Sequence, residues 1–311
     1  MKFSPAWQLV KIAEVSLSKY LMTKARKTQK TTDGSLSTHN GFSLISNEKL
    51  LEIYSMMLKC RMLEERLHSL GREGQSSLAH GSVHVAAIAG AAIDLKRGDT
   101  LAPSPGAITP CLAKRVPLNA IFASLNGQAA GPSFSSRNLI RPALSAEKQI
   151  ERAMKAAIRC RAERNSKVVA VFSSDASGAA LELELAMKLA GKKKLPILFV
   201  HETNSESDEP ILRATEFGFP GVAVEDDDAV AIYRVTTEAL AHARRGNGPT
   251  LILCRPWPLS EKGKGRRRHA MHPIRKMEEY LASKGLFSRS YKSKVVAEFD
   301  LELDQAANKL I

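Results

Sequence analysis

Two oxygen-bearing side chains stand where they could share a hard cation. Asp175 lies just past a short apolar run, and Asn204 lies 29 residues further on, just past a second one. If both runs are parallel strands of one sheet, their carboxyl ends meet at the same edge, where ligands bind in such folds. Carboxylate and amide oxygens are ligands that suit Mg²⁺. The spacing therefore predicts a cation site between the two strand ends.

The elements that must hold these side chains follow one another closely. Residues 168–172 are an apolar, β-rich run, residues 173–178 a polar turn, and residues 179–190 an apolar-periodic helix. A basic turn at residues 192–194 leads into the second apolar run, residues 195–200. The order strand, turn, helix and strand is typical of a right-handed βαβ unit with parallel strands.

A similar alternation extends over most of the chain. Helices are predicted at residues 46–70, 83–95, 118–125, 146–162, 211–217, 228–244 and 273–284, and further strands at residues 222–224 and 250–254. Residues 126–144 form a loop rich in Gly, Ser and Pro, and its length indicates a functional or mobile segment. The alternation predicts a doubly wound α/β domain with a mostly parallel sheet flanked by helices.

The first 41 residues differ in composition from the rest. They carry seven Lys and Arg against Glu14 and Asp33. We therefore predict a basic, flexible tail at residues 1–41 and one domain at residues 42–311. The tail is basic and poor in acidic residues like a mitochondrial presequence, and a frayed bacterial N-terminus is the alternative that we favour. Because the four cysteines form no CxxC pair, we expect a reducing compartment: the cytoplasm, or the mitochondrial matrix if the tail is a presequence.

The composition excludes other classes of protein. With 44% hydrophobic and 25% charged residues the chain is globular, and no apolar run approaches the ~18 residues of a transmembrane helix. The net charge of +14 indicates either an anionic partner or a basic tail and a basic loop, residues 262–268, added to a balanced domain. No basic stripe interleaved with aromatic residues accompanies the charge, so we favour the second interpretation over nucleic-acid binding.

Other polar residues near the strand ends allow two interpretations each. His201 follows the second apolar run and could act as an acid or a base. The sequence identifies no partner for it, which favours a packed or exposed side chain. Asp226, Asp227 and Asp228 could form a metal cluster, but their place before a helical segment favours capping of the helix N-terminus.

Several segments of the chain resemble those of a known family. They are residues 50–54 and 64–67 (Leu-Leu-Glu-Ile-Tyr, Glu-Glu-Arg-Leu), 95–99 (Leu-Lys-Arg-Gly-Asp), 112–118 (Leu-Ala-Lys-Arg-Val-Pro-Leu), 195–200 (Leu-Pro-Ile-Leu-Phe-Val), 218–222 (Gly-Phe-Pro-Gly-Val), 248–252 (Gly-Pro-Thr-Leu-Ile) and 272–274 (His-Pro-Ile). In this order they resemble the alpha subunit of thiamine-diphosphate-dependent 2-oxo acid dehydrogenases, which also occurs in acetoin dehydrogenase. The resemblance implies a thiamine-diphosphate-binding fold.

The resemblance also gives the candidate cation ligands specific roles. In the family, a Gly-Asp-Gly motif, an Asn after the next strand and a main-chain carbonyl two residues later hold the Mg²⁺ that bridges the cofactor's diphosphate. By this resemblance the metal ligands are Asp175, Asn204 and the carbonyl of Glu206. Ser174 and Ala176 replace the two glycines beside the cofactor, so each Cβ stands where the family's backbone approaches the diphosphate.

Further departures concern residues that contact phosphate and substrate. Residues 104–110, where the family has Tyr-Arg and His, contain no cation, phenol or imidazole. Residues 255–260 replace a loop that carries an active-site His in the family. Charge-assisted hydrogen bonds contribute about 1.5–3 kcal/mol each, so their loss weakens the binding of a diphosphate.

Three functions stand as alternatives. The resemblance implies an oxidoreductase subunit that pairs with a beta-type subunit in an α2β2 heterotetramer and decarboxylates a 2-oxo acid with thiamine diphosphate and Mg²⁺. The acyl group then passes to a lipoyl-bearing acyltransferase component. The altered motifs favour a pseudo-enzyme subunit that keeps the fold and the partner surface. A basic nucleic-acid-associated protein is the third and least favoured alternative.

Overall fold

The described part of the chain comprises residues 45–72, 85–125, 132–141, 145–255 and 272–308 of a computed structural model. These residues all belong to one compact unit, Ile45–Ile311. The predicted tail at residues 1–41 and the basic loop at residues 262–268 lie outside the described residues. Among the helices described, none combines the length and the apolar character needed to cross a membrane.

The described residues form a parallel sheet of five strands at the centre of the unit. Its strands are β1 (Thr100–Ala102), β2 (Val169–Ser174), β3 (Ile197–Glu202), β4 (Gly221–Glu225) and β5 (Thr250–Arg255). They lie in the order β1-β2-β3-β5-β4, and each neighbouring pair is parallel. The strands β2, β3 and β5 are buried almost throughout, as is usual for strands covered on both faces. The predicted α/β class, with a parallel sheet flanked by helices, is confirmed.

The helices agree with most of the predicted segments. They are α1 (Asn47–Arg72), α2 (Val85–Ala92), α3 (Pro110–Ala113), α4 (Leu118–Leu125), α5 (Pro132–Ser135), α6 (Ala146–Ala162), α7 (Ala180–Lys193), α8 (Glu209–Glu216), α9 (Ala229–Arg244), α10 (Pro273–Ser283) and α11 (Arg289–Asn308). The helix at residues 273–284 is not the last one, because α11 follows it. The buried residues of α11, Val295, Phe299, Leu303 and Ala306, recur every three or four positions, which is a helical pattern that the sequence interpretation did not use.

Helices cover both faces of the sheet. On one face, α6 lies over β1 and β2, α8 lies over β4 and β5, and α7 packs between α6 and α8. We call these three helices the α6–α8 layer. On the other face α9 and α2 pack together, with α1, α10 and α11 outside them. Side chains of β2 alternate between the two cores, since Ala170 and Phe172 join one and Val169 and Val171 the other.

A buried carboxylate joins the start of β1 to β2 and α9. Asp99 is 1% exposed and accepts hydrogen bonds from the main-chain N–H groups of Lys96 (2.7 Å) and Val168 (3.0 Å). The guanidinium of Arg244 donates to both oxygens of Asp99, at 2.9 and 2.7 Å. The Lys114 ammonium donates to the Asp99 carbonyl at 2.7 Å, and its burial lowers its pKa to about 8, against the attraction of Asp99. Two segments of the family resemblance, residues 95–99 and 112–118, therefore have a structural role here.

Candidate functional site

A cleft of about 270 Å³ lies at the carboxyl ends of β2 and β3, between α7 and α8. Its polar lining consists of Ser174, Asp175, Ser177, Glu184, His201, Glu209 and Arg213. Its apolar lining consists of Ala179, Ala180, Leu183, Met187, Pro210 and Leu251. The edge of the sheet at which the sequence predicts a ligand site therefore does carry a cleft lined with polar groups.

The strands that reach this cleft are longer than predicted. The predicted turn at residues 173–178 is wrong at its start, because Ser173 and Ser174 continue β2 and pair with His201 and Glu202 of β3. The polar side chains there find hydrogen-bond partners, so the ladder extends beyond the apolar run. A 3-10 turn, Asp175–Ser177, follows, and Gly178 ends it with a φ of 71°, a left-handed conformation that glycine adopts without strain.

The carboxylate of Asp175 is held by two donors from β3 and the residue that follows it. His201 Nε2 lies 3.0 Å from one oxygen, and the Thr203 hydroxyl donates to the other at 2.5 Å. His201 Nδ1 lies 3.0 Å from the Ser173 hydroxyl on the buried side. An ionised carboxylate only accepts, so Nε2 carries the hydrogen and Nδ1 accepts from Ser173. We call these four residues the Asp175 network.

Three residues of the Asp175 network, Ser173, His201 and Asp175, are of the types that form the catalytic triad of a hydrolase, but the positions of the Ser and the Asp are exchanged. In such a triad the Asp is buried and the Ser faces the substrate. Here Ser173 is buried, whereas the Asp175 side chain is 55% exposed. Since Ser173 does not line the cleft, the network does not present a nucleophile there. It fixes the position of the Asp175 carboxylate.

The protonation state of His201 gives a pH-dependent prediction. Burial lowers the pKa of His201 below its ordinary value of 6.5, although the Asp175 carboxylate opposes this shift. As the pH falls below 6.5, the unfolded chain therefore binds a proton before the folded chain does, and the stability contributed by neutral His201 is lost. We expect the free energy of unfolding in urea to fall more between about pH 8 and pH 5 in the wild type than in His201→Gln. Parallel curves for the two proteins would contradict this assignment.

The remaining predicted metal ligands do not join Asp175. Asn204 is exposed and makes no hydrogen bond to Asp175. The carbonyl of Glu206 accepts a hydrogen bond of 2.7 Å from the Arg255 guanidinium, which also pairs with Asp208 at 2.9 Å. A guanidinium at this carbonyl repels a divalent cation. The assignment of Asp175, Asn204 and Glu206 as metal ligands stays a prediction, and their contacts do not fit it.

The charge of the cleft also does not fit a bound diphosphate. Asp175, Glu184 and Glu209 contribute carboxylates to its lining. Arg213 is a cation in the same lining, and it pairs with Glu209 at 3.7 Å and with Glu216 at 3.5 Å. A diphosphate would meet acidic groups and a cation that already has acidic partners. The Cβ atoms of Ser174 and Ala176, the predicted cofactor positions, stand beside the same turn.

The sequence interpretation missed the contacts of His201, Thr203 and Arg255, and it predicted the capping role of Asp228 correctly. His201 does have partners, and Thr203 and Arg255 each hold a predicted ligand group, although the sequence singled out neither residue. Both lie at or directly after the carboxyl end of a strand, which is the signal that could have found them. The capping role of Asp228 is confirmed, because its side chain accepts a hydrogen bond from the Ala231 N–H at 2.8 Å.

Known proteins are similar in sequence to this chain over most of its length. Residues 54–255 match the family model described as Dehydrogenase E1 component. The alpha subunit of the acetoin:2,6-dichlorophenolindophenol oxidoreductase of Bacillus subtilis is 28% identical, over 70% of this chain and 72% of that protein. The pyruvate dehydrogenase E1 component subunit alpha of Staphylococcus epidermidis is 22% identical, over 98% of this chain and 88% of that protein.

A solved structure also aligns with the chain. Transketolase from Campylobacter jejuni superimposes with a TM-score of 0.49 and 17% identity. The alignment covers 85% of this chain and 48% of the transketolase chain, so the present chain spans about half the length of transketolase.

Proposed function

This chain belongs to the family of dehydrogenase E1 components, and on that premise we propose that it is an alpha-type subunit that does not itself hold thiamine diphosphate and Mg²⁺. Its relatives reported above are alpha subunits of an acetoin oxidoreductase and of a pyruvate dehydrogenase. In this proposal the chain keeps the family's fold and pairs with a beta-type subunit, in a cytoplasmic 2-oxo acid dehydrogenase assembly that includes a lipoyl-bearing acyltransferase. The tail at residues 1–41 precedes the subunit domain.

The observation that carries the proposal is that the chain's own donors occupy the groups that would hold the metal. His201 and Thr203 each donate to one oxygen of Asp175, and Arg255 donates to the Glu206 carbonyl. Mg²⁺ demands near-octahedral oxygen ligands at short distances and gives up its water reluctantly. It would have to displace or distort these hydrogen bonds, and it would bind beside a guanidinium.

Calorimetric titration tests this proposal. The full-length chain, alone and with a cognate beta-type subunit, is titrated with thiamine diphosphate to millimolar concentration in the presence of Mg²⁺. We expect no heat beyond dilution, and Asp175→Ala should give the same trace. The Bacillus subtilis acetoin oxidoreductase subunits serve as a positive control for the assay. Saturable heat in the wild type that disappears in Asp175→Ala would overturn the proposal.

A catalytic subunit with weakened cofactor binding is the second candidate. The observation that favours it is that Asp175 and Asn204 both persist at the strand ends with the family's spacing. This candidate predicts that Ser174→Gly/Ala176→Gly, which removes the two Cβ atoms beside the diphosphate position, tightens cofactor binding in the same calorimetric assay. An unchanged trace for that variant would leave the non-binding subunit as the better description.

A further inference from the structure

The edge of the sheet at which the strands begin carries a cluster of exposed cations. Because the described strands are parallel, the segments that lead into them lie together at this edge, opposite the cleft. The sequence interpretation assigned the excess positive charge to the tail and the loop, since these cations come from four separate segments of the chain. We call the nine exposed cations before β1, β2, β3 and β5 the basic edge: Lys96, Arg97, Arg161, Arg164, Lys167, Lys192, Lys193, Lys194 and Arg245.

The four segments of the basic edge lie against one another. The Arg161 guanidinium, before β2, donates a hydrogen bond of 3.2 Å to the carbonyl of Gly246, before β5. A Cβ at Gly248 would lie 3.5 Å from the Cα of Lys194, before β3. The strands β1 and β2 begin as a pair. Since neighbouring strands are about 4.8 Å apart, the basic edge runs about 14 Å across the four strands β1, β2, β3 and β5, without the reach of its side chains.

The cations of the basic edge have few acidic neighbours. In the four described segments the acidic residues are Asp99, which is buried against Arg244, and the exposed Glu163, which accepts a hydrogen bond from the Asn165 side chain. None of the nine cations forms an ion pair with a carboxylate of the described residues. Exposed cations elsewhere on the same unit, such as Arg61, do have acidic partners. The positive charge of the basic edge is therefore available to another molecule.

The remaining segments of the chain contain too little negative charge to neutralise the basic edge. Outside the described residues the sequence has four acidic residues, Glu14, Asp33, Glu73 and Glu261. The tail at residues 1–41 alone contains seven Lys and Arg. An anionic occupant of the basic edge would therefore be a separate molecule.

Interaction with helix dipoles accounts for only part of the basic edge. Two helices of the α6–α8 layer, α6 and α7, end there, as does α9, and each has cations in its last turn. Such cations stabilise a helix, but the effect is confined to that turn. Lys96, Arg97, Arg164 and Lys167 lie outside the helices. Like charges gathered at one edge repel one another, and a bound polyanion would relieve this repulsion.

We propose that the basic edge binds double-helical DNA through its phosphate backbone, without regard to base sequence. Five of its nine cations are lysines, which are depleted at protein–protein interfaces, and its four segments expose no large apolar or aromatic side chain that could anchor a protein partner. Without aromatic side chains it also cannot stack unpaired bases, so a duplex fits better than a single strand. Lys and Arg bind phosphate and need no 2′-hydroxyl, which double-stranded RNA offers to polar side chains.

Fluorescence anisotropy with the full-length chain and a labelled DNA duplex of about 20 base pairs, at about 50 to 200 mM salt, tests this proposal. The edge variant replaces four cations of the basic edge: Arg164→Gln/Lys167→Gln/Lys192→Gln/Lys193→Gln. The matched control replaces four exposed cations elsewhere and has the same net charge: Lys148→Gln/Arg152→Gln/Arg275→Gln/Lys294→Gln. The tail and the loop at residues 262–268 are present in every protein, so their own binding cancels in the comparison.

We expect the wild type to bind the duplex, and the edge variant to have a dissociation constant more than about tenfold higher at the lowest salt. Each lost phosphate contact lowers the slope of log K against log salt by about 0.9, so the slope should fall by about two to four. The control should stay within about twofold of the wild type. A wild type that does not bind, or an edge variant that binds like the control, overturns the proposal. Because all eight positions are exposed, circular dichroism should show both variants folded.

Competition experiments identify the occupant. Unlabelled duplex DNA should displace the labelled duplex at lower concentration than single-stranded DNA or duplex RNA of the same length. It should also be more effective than poly-glutamate of equal charge or vesicles of phosphatidylcholine and phosphatidylglycerol. Poly-glutamate or vesicles that compete as well as the duplex would indicate an acidic protein or a membrane surface instead, and the proposal would be wrong. The inference requires neither a cofactor nor a beta-type subunit and does not rest on the proposed function.

Discussion

Replacement of Asp99 by alanine is expected to lower the free energy of unfolding by about 3–5 kcal/mol. Asp99 is 1% exposed, and Arg244, its ionic partner, has a side chain that is 17% exposed. Removal of the carboxylate leaves this guanidinium without its partner and also leaves the N–H groups of Lys96 and Val168 without their acceptor. The loss of one member of a buried pair is costly because the remaining charge stays in a medium that solvates it poorly.

Urea unfolding followed by circular dichroism measures this effect. Asp300→Ala is the matched control, because Asp300 pairs with Arg66 at 3.2 Å on a surface where its own side chain is 59% exposed. Exposed pairs contribute about 0–1 kcal/mol, so the control should stay close to the wild type. If Asp99→Ala cost no more than Asp300→Ala, the buried carboxylate would not stabilise the junction of β1, β2 and α9.

The second large effect is expected for Gly191→Ala, in the last turn of α7. A Cβ at residue 191 would lie 2.1 Å from the main-chain oxygen of Phe217 and 2.9 Å from a ring carbon of Phe219. A carbonyl oxygen of the main chain cannot move aside as the end of a flexible side chain can, so α7 must shift away from the segment that follows α8. Overpacking of this kind costs about 1–3 kcal/mol.

The sign of the Gly191→Ala effect makes the measurement decisive. In an exposed helix interior, alanine is more favourable than glycine by about 1 kcal/mol, so a merely helical Gly191 would be stabilised by the substitution. Gly98→Ala is the matched control, since its Cβ would meet only the side-chain end of Lys167, at 3.4 Å. Thermal unfolding should place Gly191→Ala below the wild type and Gly98→Ala near it. A stabilised Gly191→Ala would show that α7 is free to move there.

Strong periodicity and continuous apolar runs make much of the fold predictable. The predicted helix at residues 146–162 has the bounds of α6, and the apolar runs at residues 168–172 and 195–200 lie within or beside β2 and β3. The strand β1 has only three residues, Thr100–Ala102, which is too short for a periodic pattern. The ends of strands are less predictable than their centres. Ser173 and His201 still pair as neighbours in β2 and β3, and their side chains are hydrogen-bonded, although a polar residue type does not by itself predict a strand.

The position of the site is more predictable than its contacts. Asp175 and Asn204 do lie beyond the ends of neighbouring strands, but side chains in extended chain alternate in direction. His201 and Thr203 are two residues apart, so their side chains lie on the same side of the chain, and both reach Asp175. Asn204 is one residue further on, so this alternation directs its side chain to the other side. The contact of Arg255 with the Glu206 carbonyl joins residues that are 49 positions apart, and it follows only from the placement of β5 beside β3.

The placement of β5 between β3 and β4 governs the order in which the sheet can form during synthesis. The edge strand β4, Gly221–Glu225, leaves the ribosome before β5, Thr250–Arg255, which is its neighbour in the sheet. Until β5 inserts, β4 has no place beside β3, and the hydrogen-bonding edge of β3 stays open to other chains. Among the described strands β5 is the last in the chain, yet it fills a place inside the sheet, between β3 and β4, so a nascent chain that stalls before residue 250 presents an unpaired strand edge.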